Sequence, residues 1–385
     1  MIPAQRRPPP WWRARRDALL AVLDNRDCAY VYDLGVVAQQ ARALLALQSV
    51  ARVFYALKAN PHPEVLRTVA AVGLGFECVS RAEVQHVLDA VPGISVEQLL
   101  FTPNFAPFSE YQWALEQGLR VTVDNLYVLR AWGKLFAGRD ILLRLDTGHA
   151  HGHHDKVRTA GRHSKFGVPP AEFSELKDAA TRAGATVVGL HAHGGSGSFA
   201  IDGWLQSARV LATVAADFPR TTALNLGGGL GVPERPGQAP MDLGSFDAAL
   251  GAFRRSHPAF ELWLEPGRFL VAEAGVLLAR VTQTKGKGPI RYVGVATGMN
   301  SLIRPALYGA WHEIVNLTRL DDPPAQRCTV VGPICESGDV LGSDRFLPPC
   351  HEGDVILIGD AGAYGHAMGS HYNLRPPAGE LLMPA

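Results

Sequence analysis

The chain has 385 residues, 47% of them hydrophobic and 19% charged, with a formal net charge of +1, a balance that fits a large enzyme of one or two domains. It offers no basic field for phosphates and its longest apolar runs are too short for a bilayer span, so neither nucleic acid nor membrane is an expected partner. Five scattered cysteines, Cys28, Cys78, Cys328, Cys335 and Cys350, are odd in number and fit a reducing, cytoplasmic setting better than a disulfide framework.

From the amino terminus, Met1 to Arg16 is rich in Pro and Arg, and the apolar segment after it carries Asp17 and Asp24 and lacks a signal-peptide core. It reads as a surface arm whose Trp11-Trp12 pair packs on the domain. Tyr30-Val31-Tyr32 follows as a short strand. β-rich runs then begin at Val53, Gly75, Gln98, Arg120, Asp140, Thr186, Thr222 and Phe260, separated by helical stretches. Ser80 to Glu83 and Ser109 to Gln112 are spaced as capping boxes. Eight such units predict a closed (β/α)8 TIM-like barrel over residues 36–273. A doubly wound open sheet is the rival, but it would normally put a nucleotide-binding glycine loop after its first strand, where this chain puts Lys58. After Ala274 come β-rich pieces without intervening helices, at Val276–Val281, Arg291–Val295, Cys328–Val331 and Asp354–Ile358. They predict a second, all-β domain over 274–385, to which the strand within the arm of residues 1–35 could add.

Polar and glycine-rich positions fall at the carboxyl ends of the barrel runs, where barrel active sites are built. Lys58 ends the first run, Arg144-Leu145-Asp146 the fifth, and His191-Ala192-His193-Gly194-Gly195-Ser196 the sixth. Gly227-Gly228-Gly229 ends the seventh and Glu265-Pro266-Gly267-Arg268 the eighth. A partly desolvated lysine is a Schiff-base nucleophile for an aldehyde such as pyridoxal 5'-phosphate. The glycines would let backbone N–H groups approach its phosphate, with Ser196 and Arg268 as further donors. His193 offers a flat ring for one face of the cofactor, and Arg144 could approach from the barrel floor. A carboxylate such as Glu265 beside the pyridine nitrogen favours its protonated form and makes the ring a strong electron sink. His149, His151, His153 and His154 lack a matching Cys or carboxylate pattern and read as a mobile loop near the rim, with no metal expected.

Six motifs in order resemble the pyridoxal-phosphate-dependent decarboxylases of the alanine-racemase-like fold, most closely the diaminopimelate decarboxylases. They are Tyr55-Ala56-Leu57-Lys58-Ala59-Asn60, the His191 to Ser196 run, Gly227 to Gly229, Glu265 to Arg268, Cys335-Glu336-Ser337-Gly338-Asp339 and Gly362-Ala363-Tyr364. The stretches His153 to Thr159 and Ser164 to Gly167 resemble the decarboxylase half of bifunctional aspartokinase/diaminopimelate decarboxylases, with no kinase portion in this sequence. The resemblance implies decarboxylation of meso-2,6-diaminopimelate to L-lysine and CO2, with Lys58 holding the cofactor and Cys335 supplying or relaying a proton. It makes His193 the stacking residue and Glu265 the partner of the ring nitrogen, with Ser196, Gly227, Gly228, Gly229 and Arg268 holding the phosphate or the substrate beside it. Arg304 and Tyr308 would hold the distal end of the substrate, completed by Glu336 and Tyr364. It further implies an obligate homodimer with composite sites, Cys335 reaching the other subunit's barrel.

Three positions depart from the family pattern. Gly194 and Gly197 stand where a bulkier residue and a Gln are more usual, and Glu77 is longer than the Asp familiar in related decarboxylases. A decarboxylase of a related diamino acid in a specialised pathway therefore stays open. An amino-acid racemase of this fold would put Arg at the ring nitrogen and use a Tyr base, and a dead binding homologue would be expected to lose the lysine or the Cys; this chain has Glu265, Lys58 and Cys335.

Overall fold

The computed structural model describes residues 9–148, 161 and 164–384, so His149, His151, His153 and His154 and residues 1–8 of the arm lie outside the described residues. The described chain divides into two compact units: residues 38–231 with 241–269, and residues up to 37 with 232–240 and 270 onward. The excursion Val232–Pro240 thus groups with the second unit although the chain on both sides of it belongs to the first.

Strand β1, Cys28–Tyr32, precedes the first unit. Eight parallel strands then close into a barrel: β2 Val50–Ala56, β3 Gly75–Cys78, β4 Leu99–Phe101, β5 Arg120–Val123, β6 Asp140–Arg144, β7 Thr186–His191, β8 Ala223–Asn225 and β9 Glu261–Leu264. Each lies buried against helices outside and side chains inside, which is why the strands read as short, nearly continuous apolar runs. Closure is sealed where β2 pairs with β9, Val53 opposite Leu264.

Local chemistry sets the helix starts. Ser80 Oγ accepts from Glu83 N at 3.2 Å, and the Glu83 carboxylate returns to accept from Val79 N at 2.7 Å, one residue before the expected partner. The second expected box fails. Pro107, extended at φ −69° and ψ 157°, is the N-cap of the helix Phe108–Glu116, so Ser109 falls inside the first turn and Gln112 bonds Glu116 instead.

Parity along the strands divides the barrel interior into layers. Phe54, Leu100, Leu142, Ala223 and Trp263 form an apolar plug with Val188 against it. Truncating one of them, Leu142→Ala for instance, should cost about 2–5 kcal/mol because the packed interior cannot fully close the cavity. Two residues further along β6, Leu142 gives way to Arg144, which shares a register row with His191 of β7 and Asn225 of β8. A polar layer therefore sits directly on the plug at the carboxyl ends of the strands.

The second unit is built on β10 Gly275–Lys287, β11 Ile290–Val295, β12 Ile314–Asn316, β13 Gln326–Val331, β14 Val340–Leu347, β15 Val355–Ile358 and β16 Gly379–Leu382. β1 joins it, antiparallel to β10 and parallel to β16. The sheet's two faces carry separate cores, one around Tyr30, Leu277 and Ile356, the other around Trp12, Leu19 and Leu357. The arm is thus more than a surface feature: its helices Trp11–Ala14 and Arg16–Leu23 bury Trp12 and Leu23, and Trp11 Nε1 donates to Glu273 O at 2.9 Å. One short helix, Arg304–Tyr308, interrupts the β-rich pattern. No helix among the described residues is long and apolar enough to cross a membrane.

Candidate active site

β2 ends at Ala56, and the single 3-10 turn Leu57–Ala59 that follows turns Lys58 onto the rim. Lys58 Nζ lies 2.5 Å from Oε2 of Glu77, whose other carboxylate oxygen accepts from Thr102 Oγ1. Glu77, a departure in the sequence, thus sets its carboxylate directly on the rim lysine. Glu77 is buried while the Lys58 side chain stays 44% exposed, so the amine meets the carboxylate at the edge of solvent.

Glu265 follows β9 and is engaged at both carboxylate oxygens. Asn225 Nδ2 donates to Oε1 at 2.7 Å and His191 Nε2 to Oε2 at 3.1 Å, all three side chains being buried. Burial works to raise the Glu265 pKa, but the charge and hydrogen bond of His191, with Lys58 and His193 behind them, outweigh it and hold the carboxyl well below its ordinary range. Glu265 is therefore a fixed negative charge in a dry layer.

His193 has the opposite character. Burial, then the charges of Arg144 and Lys58, pull its pKa down to about 3, so the ring is neutral at physiological pH. Its Nδ1 accepts from Gly228 N at 3.2 Å, which leaves the proton on Nε2. Asn225 Oδ1 likewise accepts from Gly227 N at 3.0 Å, so two N–H groups of the glycine run are engaged by the protein. Two of these glycines are required by packing as well as by any ligand: a Cβ on Gly228 would stand 2.2 Å from Glu265 O, and one on Gly229 2.2 Å from Gly195 O. Beside them Ser196 Oγ accepts from Nε and Nη2 of Arg268, each at 3.2 Å.

Arg144 is the last residue of β6, at the same carboxyl ends as the others and not at the barrel floor. Its guanidinium lies 4.5 Å from the centroid of Phe166, and burial lowers its pKa against the pull of Glu265, Asp124 and Glu77. Lys58, Arg144, His193, Ser196, Gly227 to Gly229, Glu265 and Arg268 thus all occur on the barrel's carboxyl-terminal rim. Asn225, Thr102 and the Glu265 contact of His191 escaped sequence reasoning. The signal that could have found Asn225 and Thr102 is parity, since they share an inward face with Ala223 and Leu100 of the plug.

The remaining candidates belong to the second unit. Arg304 and Tyr308 lie on the one-turn helix, and the Arg304 guanidinium is buried beside Glu234. Cys335 and Glu336 are exposed on the turn after β13. That turn is braced by Asp339, which accepts from Ile334 N at 2.7 Å and Met299 N at 2.6 Å, and by Asn373 Oδ1, which accepts from Cys335 N at 2.6 Å. Tyr364 has a φ of 56°, a left-handed conformation unusual for a tyrosine. Among the described residues no group of three or more His, Cys, Asp or Glu could hold a metal ion.

A rim amine, a fixed carboxylate, a neutral ring and a glycine cradle fit the aldehyde, ring nitrogen, ring face and phosphate of pyridoxal phosphate. Residues 34–272 match the family model described as pyridoxal-dependent decarboxylase, pyridoxal binding domain. The chain belongs to this family. Among relatives of the decarboxylase, the diaminopimelate decarboxylase of Methanothermobacter thermautotrophicus is 36% identical over 354 residues, 89% of this chain and 82% of the relative. That of Archaeoglobus fulgidus is 35% identical over 346 residues, 86% and 81% of the two chains. The crystal structure of diaminopimelate decarboxylase from Helicobacter pylori complexed with L-lysine superposes with a TM-score of 0.85 at 28% identity, covering 95% of this chain and 94% of that one. The cofactor of the decarboxylase is pyridoxal phosphate.

Proposed function

We propose that this decarboxylase acts on meso-2,6-diaminopimelate and releases CO2 and L-lysine. The observation that carries the substrate assignment is Arg304, a buried guanidinium outside the barrel, in a chain whose near full-length relatives are named diaminopimelate decarboxylases. A buried, planar, permanently charged fork is suited to a second carboxylate, which diaminopimelate has and lysine or ornithine, as substrates, lack at that end.

Bound pyridoxal phosphate supplies a conjugated sink for the electron pair left on Cα when the carboxylate departs. The protein's part is positioning and charge. Lys58 is the amine that would hold the cofactor's aldehyde carbon, with Glu77 as the adjacent carboxylate to take or return its proton. Glu265, kept ionised by His191 and Asn225, stands for the ring nitrogen and favours its protonated form. Neutral His193 would cover the ring without adding a positive charge to oppose that protonation. Gly227 to Gly229, Ser196 and Arg268 hold the phosphate and the adjoining substrate carboxylate. Arg304 and Tyr308 receive the distal carboxylate, Glu336 the distal ammonium, and Tyr364 closes the set. Cys335 delivers the proton to Cα.

The working enzyme in this reading is a homodimer in which Cys335 and Glu336 of one chain serve the Lys58 site of the other. A cytoplasmic setting suits its five cysteines, all free thiols. The test is release of CO2 from a panel of diamino acids by the holoenzyme. meso-Diaminopimelate should be preferred over lysine and ornithine in kcat/KM by about 2–5 kcal/mol, the cost of leaving a desolvated guanidinium without its anion. Equal or better turnover of ornithine would reject the assignment.

A further inference from the structure

The buried guanidinium assigned to the substrate already has a carboxylate beside it. Arg304 is 2% exposed, and its Nη2 donates to Glu234 Oε1 at 3.3 Å. Glu234 itself is 28% exposed at its side chain. It lies on the excursion Val232–Pro240, which groups with the second unit as Arg304 does. Gln238 Oε1 accepts from Glu234 N at 3.0 Å and Arg235 N at 3.4 Å, so the carboxylate is presented from a folded turn.

A desolvated arginine is costly unless an anion lies close, and a partly exposed glutamate on a surface turn supplies one. Such a partner is also replaceable. A second carboxylate brings the same charge and the same pair of acceptors to the guanidinium fork, while Glu234 can turn its oxygens toward water without disrupting a strand or a helix.

We propose that Glu234 is an internal stand-in for the substrate's distal carboxylate, and that Arg304 exchanges one carboxylate for the other when an amino acid binds; the proposal rests on the assignment of Arg304 above. Glu234 then acts as a specificity-determining residue. A ligand without a carboxylate at that end leaves Glu234 in place and gains nothing from Arg304. A ligand with one engages the fork at the expense of the internal pair.

The test uses two inhibitors of CO2 release from meso-diaminopimelate by the holoenzyme, checked by calorimetric binding. L-Lysine carries a carboxylate for Arg304, and pentane-1,5-diamine has the same chain without it. Glu234→Gln keeps shape and hydrogen bonding but removes the charge, and charge-assisted hydrogen bonds are roughly twice as strong as neutral ones, so L-lysine should bind about five- to tenfold tighter. The diamine should bind no tighter. Glu234→Ala, as a second variant, should move L-lysine in the same direction. Weaker binding of both ligands would make Glu234 the seat of the ammonium, and unchanged L-lysine binding would make the pair a brace for the helix; either result overturns the proposal alone. A wild-type protein that neither binds L-lysine nor releases CO2 from meso-diaminopimelate overturns the functional assignment as well, and is read before any variant is compared.

Discussion

At the barrel rim Glu265, His191 and Asn225 are buried and bonded to one another, whereas in the second unit Cys335 and Glu336 stand exposed on a turn braced through its backbone. The first arrangement is finished by folding alone, because strand register sets its members on a packed apolar plug and each buried polar atom of Glu265 finds a donor. A carboxylate bonded at both oxygens in a low dielectric is held stiffly, which suits a fixed charge that must not move as a reaction proceeds. The second arrangement fixes a backbone and leaves the reactive side chains open. That is what a group needs when the surface it serves is supplied from elsewhere, as in the proposed dimer.

The largest effect should come from removing the rim amine. Lys58→Ala should lower kcat by about ten-thousandfold or more in steady-state CO2 release, since no other amine follows from the same strand end. Glu265→Gln should keep the fold and lower kcat by about a thousandfold, because a neutral amide no longer favours a protonated ring. Wild-type turnover with normal cofactor binding would break the barrel half of the comparison.

Cys335→Ala should cost about a hundredfold in kcat, the scale of losing one positioned proton donor. Mixing it with Lys58→Ala should restore activity, as a heterodimer then has one intact site and one doubly damaged site. If tags and mass show complete subunit exchange and activity stays absent, the two residues serve one chain and the contrast between rim and turn has another cause.

The most gradual effect is on stability. With its pKa held down to about 3 from an ordinary 6.5, His193 refuses a proton that the unfolded chain accepts. Stability should therefore fall as pH drops below 6.5 toward 3, by at most about 1.4 kcal/mol per pH unit from this group, and be indifferent to it above 6.5. Glu265, whose pKa is depressed, acts lower: its contribution is present above 4.5 and is lost as pH falls further. His193→Gln should flatten the upper part of the slope in urea unfolding measured on either side of pH 6.5. An unchanged slope would show that the ring is not held neutral by the rim.

The barrel was legible in the sequence because parallel strands buried on both faces read as compact apolar runs, and seven of the eight begin within one residue of the expected position. β2 starts three residues early, at Val50, since Arg52 on its exposed beginning hides the strand character. β12, β14 and β16 were not legible: β12 and β16 are three and four residues with no clear alternation, and β14 is broken by Gly342-Ser343-Asp344 and pairs with β13 through register shifts. Ser109 misled because spacing alone ignores Pro107, which fixes the chain where the helix begins. Lys58, Glu265 and the glycines stood out as motifs, whereas Asn225 and Thr102 depend on register across strands, which local pattern does not contain.

The most direct test of the central claim is reductive trapping. Borohydride added to the protein with pyridoxal phosphate should fix the cofactor to one peptide, and mass mapping should place the label on Lys58. Label on another lysine, or no label with cofactor demonstrably bound, would contradict the account of the rim.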